Sequence, residues 1–289
     1  METLKAIILG VVQGCTEFFP VSSSGHLVFI PFLFNWDYIP VYYTVTLHFA
    51  TLLALLAVFY REAWRIIRAF FTGIFRRSER QSNYFKLSIF IIIATIPAVL
   101  VGYFLNDYIE GFFSKPLFVG IFMLFTALLL FGGEMLGKRM EKRNASSPYE
   151  KGKNNNPERK FNFLISLVTG MGQAIAIFPG ISRSGATISF ARSFGLKREE
   201  CVKFSMLLSI PVIFGAFVFE LTRSSGIIIS QDLSVILNMA LSFVFAFISG
   251  FLSIQFLLRI AKRRNLNFFA IYCIVIAIII FILMAVRGF

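Results

Sequence analysis

Charge is the scarcest property of this sequence. Asp, Glu, Lys and Arg make up 15% of its 289 residues, while 57% are hydrophobic. Soluble domains carry about 25% charged residues, so a water-soluble helical protein is the remote alternative. Cysteine is scarce as well. Cys15, Cys201 and Cys273 are scattered and odd in number, which argues against a disulfide framework or a metal-binding spacing. No glycine-rich nucleotide loop and no zinc-type cluster occurs. Residues 1–5 lack a basic leader region and a small-residue cleavage site, so a removable signal peptide is not expected.

Long apolar stretches are what the chain has in abundance. Tyr43–Phe59, Leu87–Leu105, Leu117–Gly133, Phe204–Leu221, Leu233–Leu258 and Phe268–Val286 approach or reach the roughly 20 residues that a membrane helix needs. The net charge of +13 could suggest nucleic acid, but 23 of the 28 Lys and Arg fall in four runs between apolar segments: Arg61–Lys86, Lys138–Lys160, Arg192–Lys203 and Arg259–Arg264. That distribution is the positive bias of cytoplasmic loops, and no nucleic-acid partner is expected.

Two segments do not fit continuous spans. Phe19-Pro-Val-Ser-Ser-Ser-Gly25 interrupts the first apolar stretch, and Phe178-Pro-Gly-Ile-Ser-Arg-Ser-Gly185 interrupts Phe161–Ala191. Irregular backbone at membrane depth needs surrounding protein or a cavity. The breaks align at a constant offset of 160: Gly10 with Gly170, Gln13 with Gln173, Phe18 with Phe178, Ser22 with Ser182, Ser24 with Ser184 and Gly25 with Gly185. Three long apolar segments come after each break. With all four basic runs on one side, the first hairpin starts and ends outside and the second inside. The reading is an all-α polytopic membrane protein of two inverted repeats, each a re-entrant helical hairpin plus three transmembrane helices. The first repeat is 1–137, with its hairpin at about 2–34. A basic cytoplasmic linker lies at 138–160. The second repeat is 161–289, with its hairpin at about 161–191.

Polar residues gather at the breaks. Gln13 and Glu17 share a helix face by their spacing of four, and Ser22, Ser23, Ser24 and His26 come within the next ten residues. Ionisable groups inside a membrane are costly and usually face a cavity, so a nucleophile-and-base constellation competes with a polar hinge that satisfies freed backbone groups. The second break offers Ser182, Arg183, Ser184 and Thr187 around Gly180 and Gly185. Arg183 can grip phosphate oxygens with two parallel bonds, or pair structurally with Glu17. Two short helices opening at the breaks could aim their N-termini at one phosphate-sized anion. His48 reads as a packed helix residue, and Glu134 as a span-end residue that reaches the interface.

The segments Gln13–His26 and Pro179–Thr187 resemble, in order, the two signatures of the bacterial undecaprenyl-diphosphate phosphatases of the bacitracin-resistance type. The resemblance covers nearly the whole chain. It implies hydrolysis of undecaprenyl diphosphate to the monophosphate, which recycles the carrier lipid for cell-wall synthesis and confers bacitracin resistance. It also implies a divalent cation, Mg²⁺ or Ca²⁺, at Glu17. The implied setting is the bacterial plasma membrane, with the site facing the extracytoplasmic side, a polyprenyl diphosphate and membrane lipid as partners, and a homodimer left open. The family's acidic motif maps onto Gln13 and Glu17, its hydroxyl and His onto Ser23 and His26, and its Arg motif onto Ser182 and Arg183. Many members carry Glu where this chain has Gln13, which puts in doubt a metal held by two carboxylates. Glu17, Ser23, His26 and Arg183 are the expected catalytic residues. Gln13, Ser22, Ser24, Gly25, Ser182, Ser184, Gly185 and Thr187 are the expected substrate contacts. Ser23 is the preferred nucleophile and His26 the alternative. A transporter or flippase is the competing class, because inverted repeats with half-helices are common there.

Overall fold

A computed structural model of the chain describes residues 2–37, 39–112, 115–145, 161–229 and 231–288. Most of the expected linker, 146–160, lies outside the described residues. Among those described, the chain is entirely helical. Two short helices, α1 (Glu2–Phe18) and α2 (Ser23–Phe34), precede three long ones, α3 (Val41–Phe75), α4 (Asn83–Glu110) and α5 (Pro116–Ala145). A 3-10 turn at Arg77–Gln81 links α3 to α4. The order then recurs: short α6 (Phe163–Ile175) and α7 (Arg183–Ser193), then long α8 (Arg198–Ile229), α9 (Leu233–Arg263) and α10 (Asn267–Arg287).

The six long helices are apolar and long enough to cross a bilayer, and they coincide with the six expected spans. Their outward side chains stay uncovered: Leu128 is 64% exposed and Leu252 60%. Such a surface suits hydrocarbon rather than water. The helices outrun the expected spans: α5 continues to Ala145, into the expected linker, and α8 extends beyond both ends of Phe204–Leu221. Helix α3 does not stop at Phe59 but kinks there (φ −105°, ψ 20°) and runs on to Phe75. The reason is that Ala63, Ile66 and Gly73 keep helical spacing and remain buried against the bundle.

The two halves interlock. Helix α1 packs on α9, and α6 packs on α4; α3 meets α8, and α5 meets α10. Each short first helix therefore lies against the second long helix of the other half. Close approach is what Gly10 and Gly170 permit. A Cβ on Gly10 would collide with the Ser242 carbonyl of α9, and one on Gly170 with the Ala94 backbone of α4. Small residues let helices associate in a membrane, where burial of apolar surface drives little.

The two breaks share their caps but not their backbone, Ser22 taking φ 69° and Ser182 φ −72°. Ser22 caps α2 by accepting from the Gly25 N–H at 3.1 Å, and Ser182 caps α7 by accepting from the Gly185 N–H at 3.0 Å. Each cap hydroxyl also meets the serine two residues on, Ser24 at 3.2 Å and Ser184 at 3.1 Å. The last long helix of each half also reaches a break. On α5, Thr126 accepts from the Ser182 N–H at 2.9 Å and donates to the Gly180 carbonyl at 3.0 Å. On α10, the Cys273 thiol lies 3.8 Å from the Pro20 carbonyl. The break braced is in each case that of the other half. Gly180 takes φ +102°, a region that only glycine enters freely.

Candidate active site

The two breaks meet around one carboxylate. Glu17, on the last turn of α1, is 5% exposed. Arg183, the first residue of α7, donates from Nη2 to Glu17 Oε1 at 2.5 Å. Ser23, the first residue of α2, donates from Oγ to Glu17 Oε2 at 2.7 Å. Gln13, one turn back on α1, donates from Nε2 to the same Oε2 at 2.9 Å. The opening residues of two capped half-helices, 160 positions apart, thus converge on one carboxylate. Capping consumes the Gly25 and Gly185 amides. The amides of Ser23, Ser24, Arg183 and Ser184 have no intrahelical partner, because they lie in a first turn. Ser184 ties the two breaks together by donating to the Phe19 carbonyl at 3.0 Å.

A fifth group joins the cluster. His48 of α3 places Nε2 3.4 Å from Glu17 Oε2. Its other nitrogen, Nδ1, lies 2.8 Å from the Thr44 carbonyl and must donate to it, which turns Nε2 toward the carboxylate. The reading of His48 as an ordinary packed residue is therefore corrected. The signal was present: an ionisable side chain inside an apolar span is a functional candidate by default.

Two expected residues face elsewhere. His26 Nδ1 donates to the Ser22 carbonyl at 2.7 Å, and Nε2 accepts from the Tyr272 hydroxyl of α10 at 2.8 Å. The His26 and Tyr272 rings also stack. Neither bond reaches Ser23, Glu17 or Arg183. Thr187 is 1% exposed; it donates to the helix carbonyls of Arg183 and Ser184 and meets the Ser205 hydroxyl of α8 at 2.6 Å. It packs α7 onto α8 rather than opening toward Glu17.

Glu134 also departs from expectation. It is 6% exposed instead of reaching the interface, and it pairs with Arg198 and lies 3.6 Å from Arg192 Nε. Arg192 is equally buried and forms two bonds to Glu141, at 2.6 and 2.9 Å. Arg192 and Arg183 are thus both cations within the apolar bundle.

Comparison with known proteins shows the family. The family described as bacitracin resistance protein BacA matches residues 6–279. The chain belongs to that family. It is 34% identical over 291 residues to undecaprenyl-diphosphatase 1 of Shouchella clausii, covering 100% of this chain and 99% of that protein. It is 37% identical over 285 residues to the undecaprenyl-diphosphatase of Korarchaeum cryptofilum, covering 97% and 98%. With that of Methanobrevibacter smithii it shares 38% over 289 residues, covering 97% of each.

The donor set of this BacA-family chain limits the metal it can hold. Among the described residues, no three His, Cys, Asp or Glu side chains converge as a cage. The Gln13 Oε1 is buried beside Glu17 with no hydrogen-bond partner. One carboxylate and one open carbonyl oxygen suit a hard cation that completes its shell with phosphate oxygens and water. They do not suit one that needs two protein carboxylates.

Proposed function

We propose that this chain hydrolyses undecaprenyl diphosphate to undecaprenyl phosphate and inorganic phosphate. The observation that carries the reading is the approach of Ser23 and Arg183, from two helix N-termini, to Glu17. A hydroxyl hydrogen-bonded to a carboxylate is a poised nucleophile. A guanidinium with free first-turn amides around it is a phosphate cradle. The diphosphate head group sits between the breaks and its prenyl tail leaves sideways into lipid. Ser23 Oγ attacks the terminal phosphorus as its proton passes to Glu17 Oε2. The O–P bond forms, the bridging P–O bond breaks, and undecaprenyl phosphate departs. Glu17 passes that proton to the departing undecaprenyl phosphate. Water then attacks the phosphoserine, giving up a proton to Glu17, which returns it to Ser23 Oγ as the phosphoester bond breaks and phosphate leaves.

Arg183 moves from Glu17 onto the transferring phosphoryl oxygens, whose charge it stabilises with the first-turn amides. His48 stays beside Glu17 as Arg183 shifts. His26 orients Ser22 and α2 through Tyr272 and does not serve as the nucleophile. Ser22, Ser24, Gly25, Ser182, Ser184 and Gly185 shape the cradle by their caps. Glu17 and Gln13 Oε1 would hold Mg²⁺ or Ca²⁺, which neutralises diphosphate charge when bound.

The architecture belongs to the same reading: two inverted repeats, each a re-entrant hairpin with three spans. The matched caps at an offset of 160 and the exchanged packing of α1 and α6 support it. So does the clustering of basic residues, and the same reading has the site face the extracytoplasmic side of the plasma membrane. Carrier recycling for cell-wall synthesis and bacitracin resistance are consequences of that activity, and a homodimer is compatible with it. Release of phosphate from the lipid diphosphate by purified protein in detergent, with no membrane gradient, tests the enzyme against a transporter. Rapid release is expected; binding without release is the transporter's result.

A further inference from the structure

Helix α3 is too long for a simple span. Its 35 residues extend about 52 Å at 1.5 Å per residue, whereas the hydrocarbon layer is about 30 Å thick. The stretch from Val41 to the kink at Phe59 already fills most of that layer. Beyond the kink, α3 presents three faces. Ala63, Ile66 and Gly73 are buried against the bundle. Tyr60, Trp64, Ile67, Phe71 and Ile74 recur at helical spacing and are all exposed, Trp64 by 65% and Phe71 by 56%. Arg61, Arg65 and Arg68 each come one residue after a member of that apolar stripe and lie together along its edge. Arg76 and Arg77 extend the basic edge into the 3-10 turn. Among the described residues, none of these five arginines is in an ion pair; Arg61 and Arg65 donate to the hydroxyls of Tyr60 and Tyr84.

We infer that residues 60–77 are a docking surface for an anionic lipid leaflet, with the apolar stripe sunk among acyl chains and the arginines on lipid phosphates. An apolar face with Trp and Tyr, edged by Arg, lies in the plane of a membrane interface, where aromatic rings of both kinds accumulate. The surplus of positive charge selects anionic headgroups over zwitterionic ones. A second copy of this chain is the poorer occupant, because it would set five arginines against five more. The inference rests on the membrane reading and not on the chemistry at Glu17.

The test uses full-length Trp36→Phe protein, in which Trp64 is the single tryptophan. It is reconstituted in vesicles of phosphatidylcholine and phosphatidylglycerol, with brominated chains on one lipid at a time. Brominated phosphatidylglycerol should quench Trp64 at least about twofold more than brominated phosphatidylcholine at equal mole fraction, and 1 M salt should shrink that preference. Arg61→Gln, Arg65→Gln and Arg68→Gln together should abolish the preference while phosphatidylcholine still quenches. The three Lys substitutions should retain it. Equal quenching by both lipids in the Trp36→Phe protein would overturn the inference. So would a Trp64 that neither lipid quenches, the result if protein or water covers this face.

Discussion

Glu17 and Glu134 are both buried carboxylates beside arginine, yet their surroundings are opposite. Glu134 joins Arg192, Arg198, Lys138 and, through Arg192, Glu141, on helix interiors and ends that α5, α7 and α8 supply. That cluster has acids and bases in supply and staples three helices. Glu17 stands alone among cations and donors, at the meeting of two chain breaks, next to an amide oxygen with no partner. Burial and ion pairing therefore do not separate a working carboxylate from a structural one here. The neighbourhood does: a hydroxyl, an unpartnered amide oxygen and two chain breaks meet at Glu17, whereas charged side chains of three helices surround Glu134.

That contrast can be broken by mutation, and the largest effect is expected at Glu17. Glu17→Gln keeps the size and most of the hydrogen bonding but loses the charge and the proton acceptor. Phosphate release should be nearly abolished while the thermal midpoint in detergent stays near that of the native chain. Unfolding with retained turnover per folded molecule would make Glu17 a structural acid like Glu134. Arg183→Lys comes next. Lysine keeps the charge but not the two-pronged contact, so turnover should fall roughly 100- to 1,000-fold, about 3–4 kcal/mol, by analogy with removing one preorganised transition-state donor. Substrate affinity should fall less than turnover. Native turnover in Arg183→Lys would reduce Arg183 to a point charge.

The opposite signature is expected of Glu134→Gln. It strands Arg192 and Arg198, and breaking such a buried network costs about 3 kcal/mol. Thermal unfolding should show the loss, while turnover per folded molecule changes little. The smallest effects should come from the caps. Ser22→Ala and Ser182→Ala each remove one N-cap, worth about 1 kcal/mol. Equal losses of stability at the two sites would support a shared construction, and unequal ones would weaken it.

Much of the fold was legible in the sequence, for identifiable reasons. The spans were readable because an uninterrupted apolar run has few alternatives, and the breaks because Pro, Gly, Ser and Arg are out of place within one. The short helices opening at Ser22 and Ser182 were readable from the same local chemistry. What escaped depends on contacts distant in the chain. His48 reaches Glu17 only because α3 packs beside α1. His26 is turned away by Tyr272, 246 positions later, and Thr187 is drawn inward by Ser205. The end of α3 was misplaced because Arg61 looked like the close of a span, whereas the helix continues with an arginine edge.

The most direct measurement identifies the residue that carries the phosphoryl group during turnover. Purified protein would be mixed with undecaprenyl diphosphate labelled in its terminal phosphate, quenched rapidly in acid and, in parallel, in base, and mapped by mass spectrometry. The account predicts an acid-stable phosphate ester on Ser23 that is absent from Ser23→Ala. A base-stable, acid-labile phosphate on His26, or label that persists in Ser23→Ala, would contradict it.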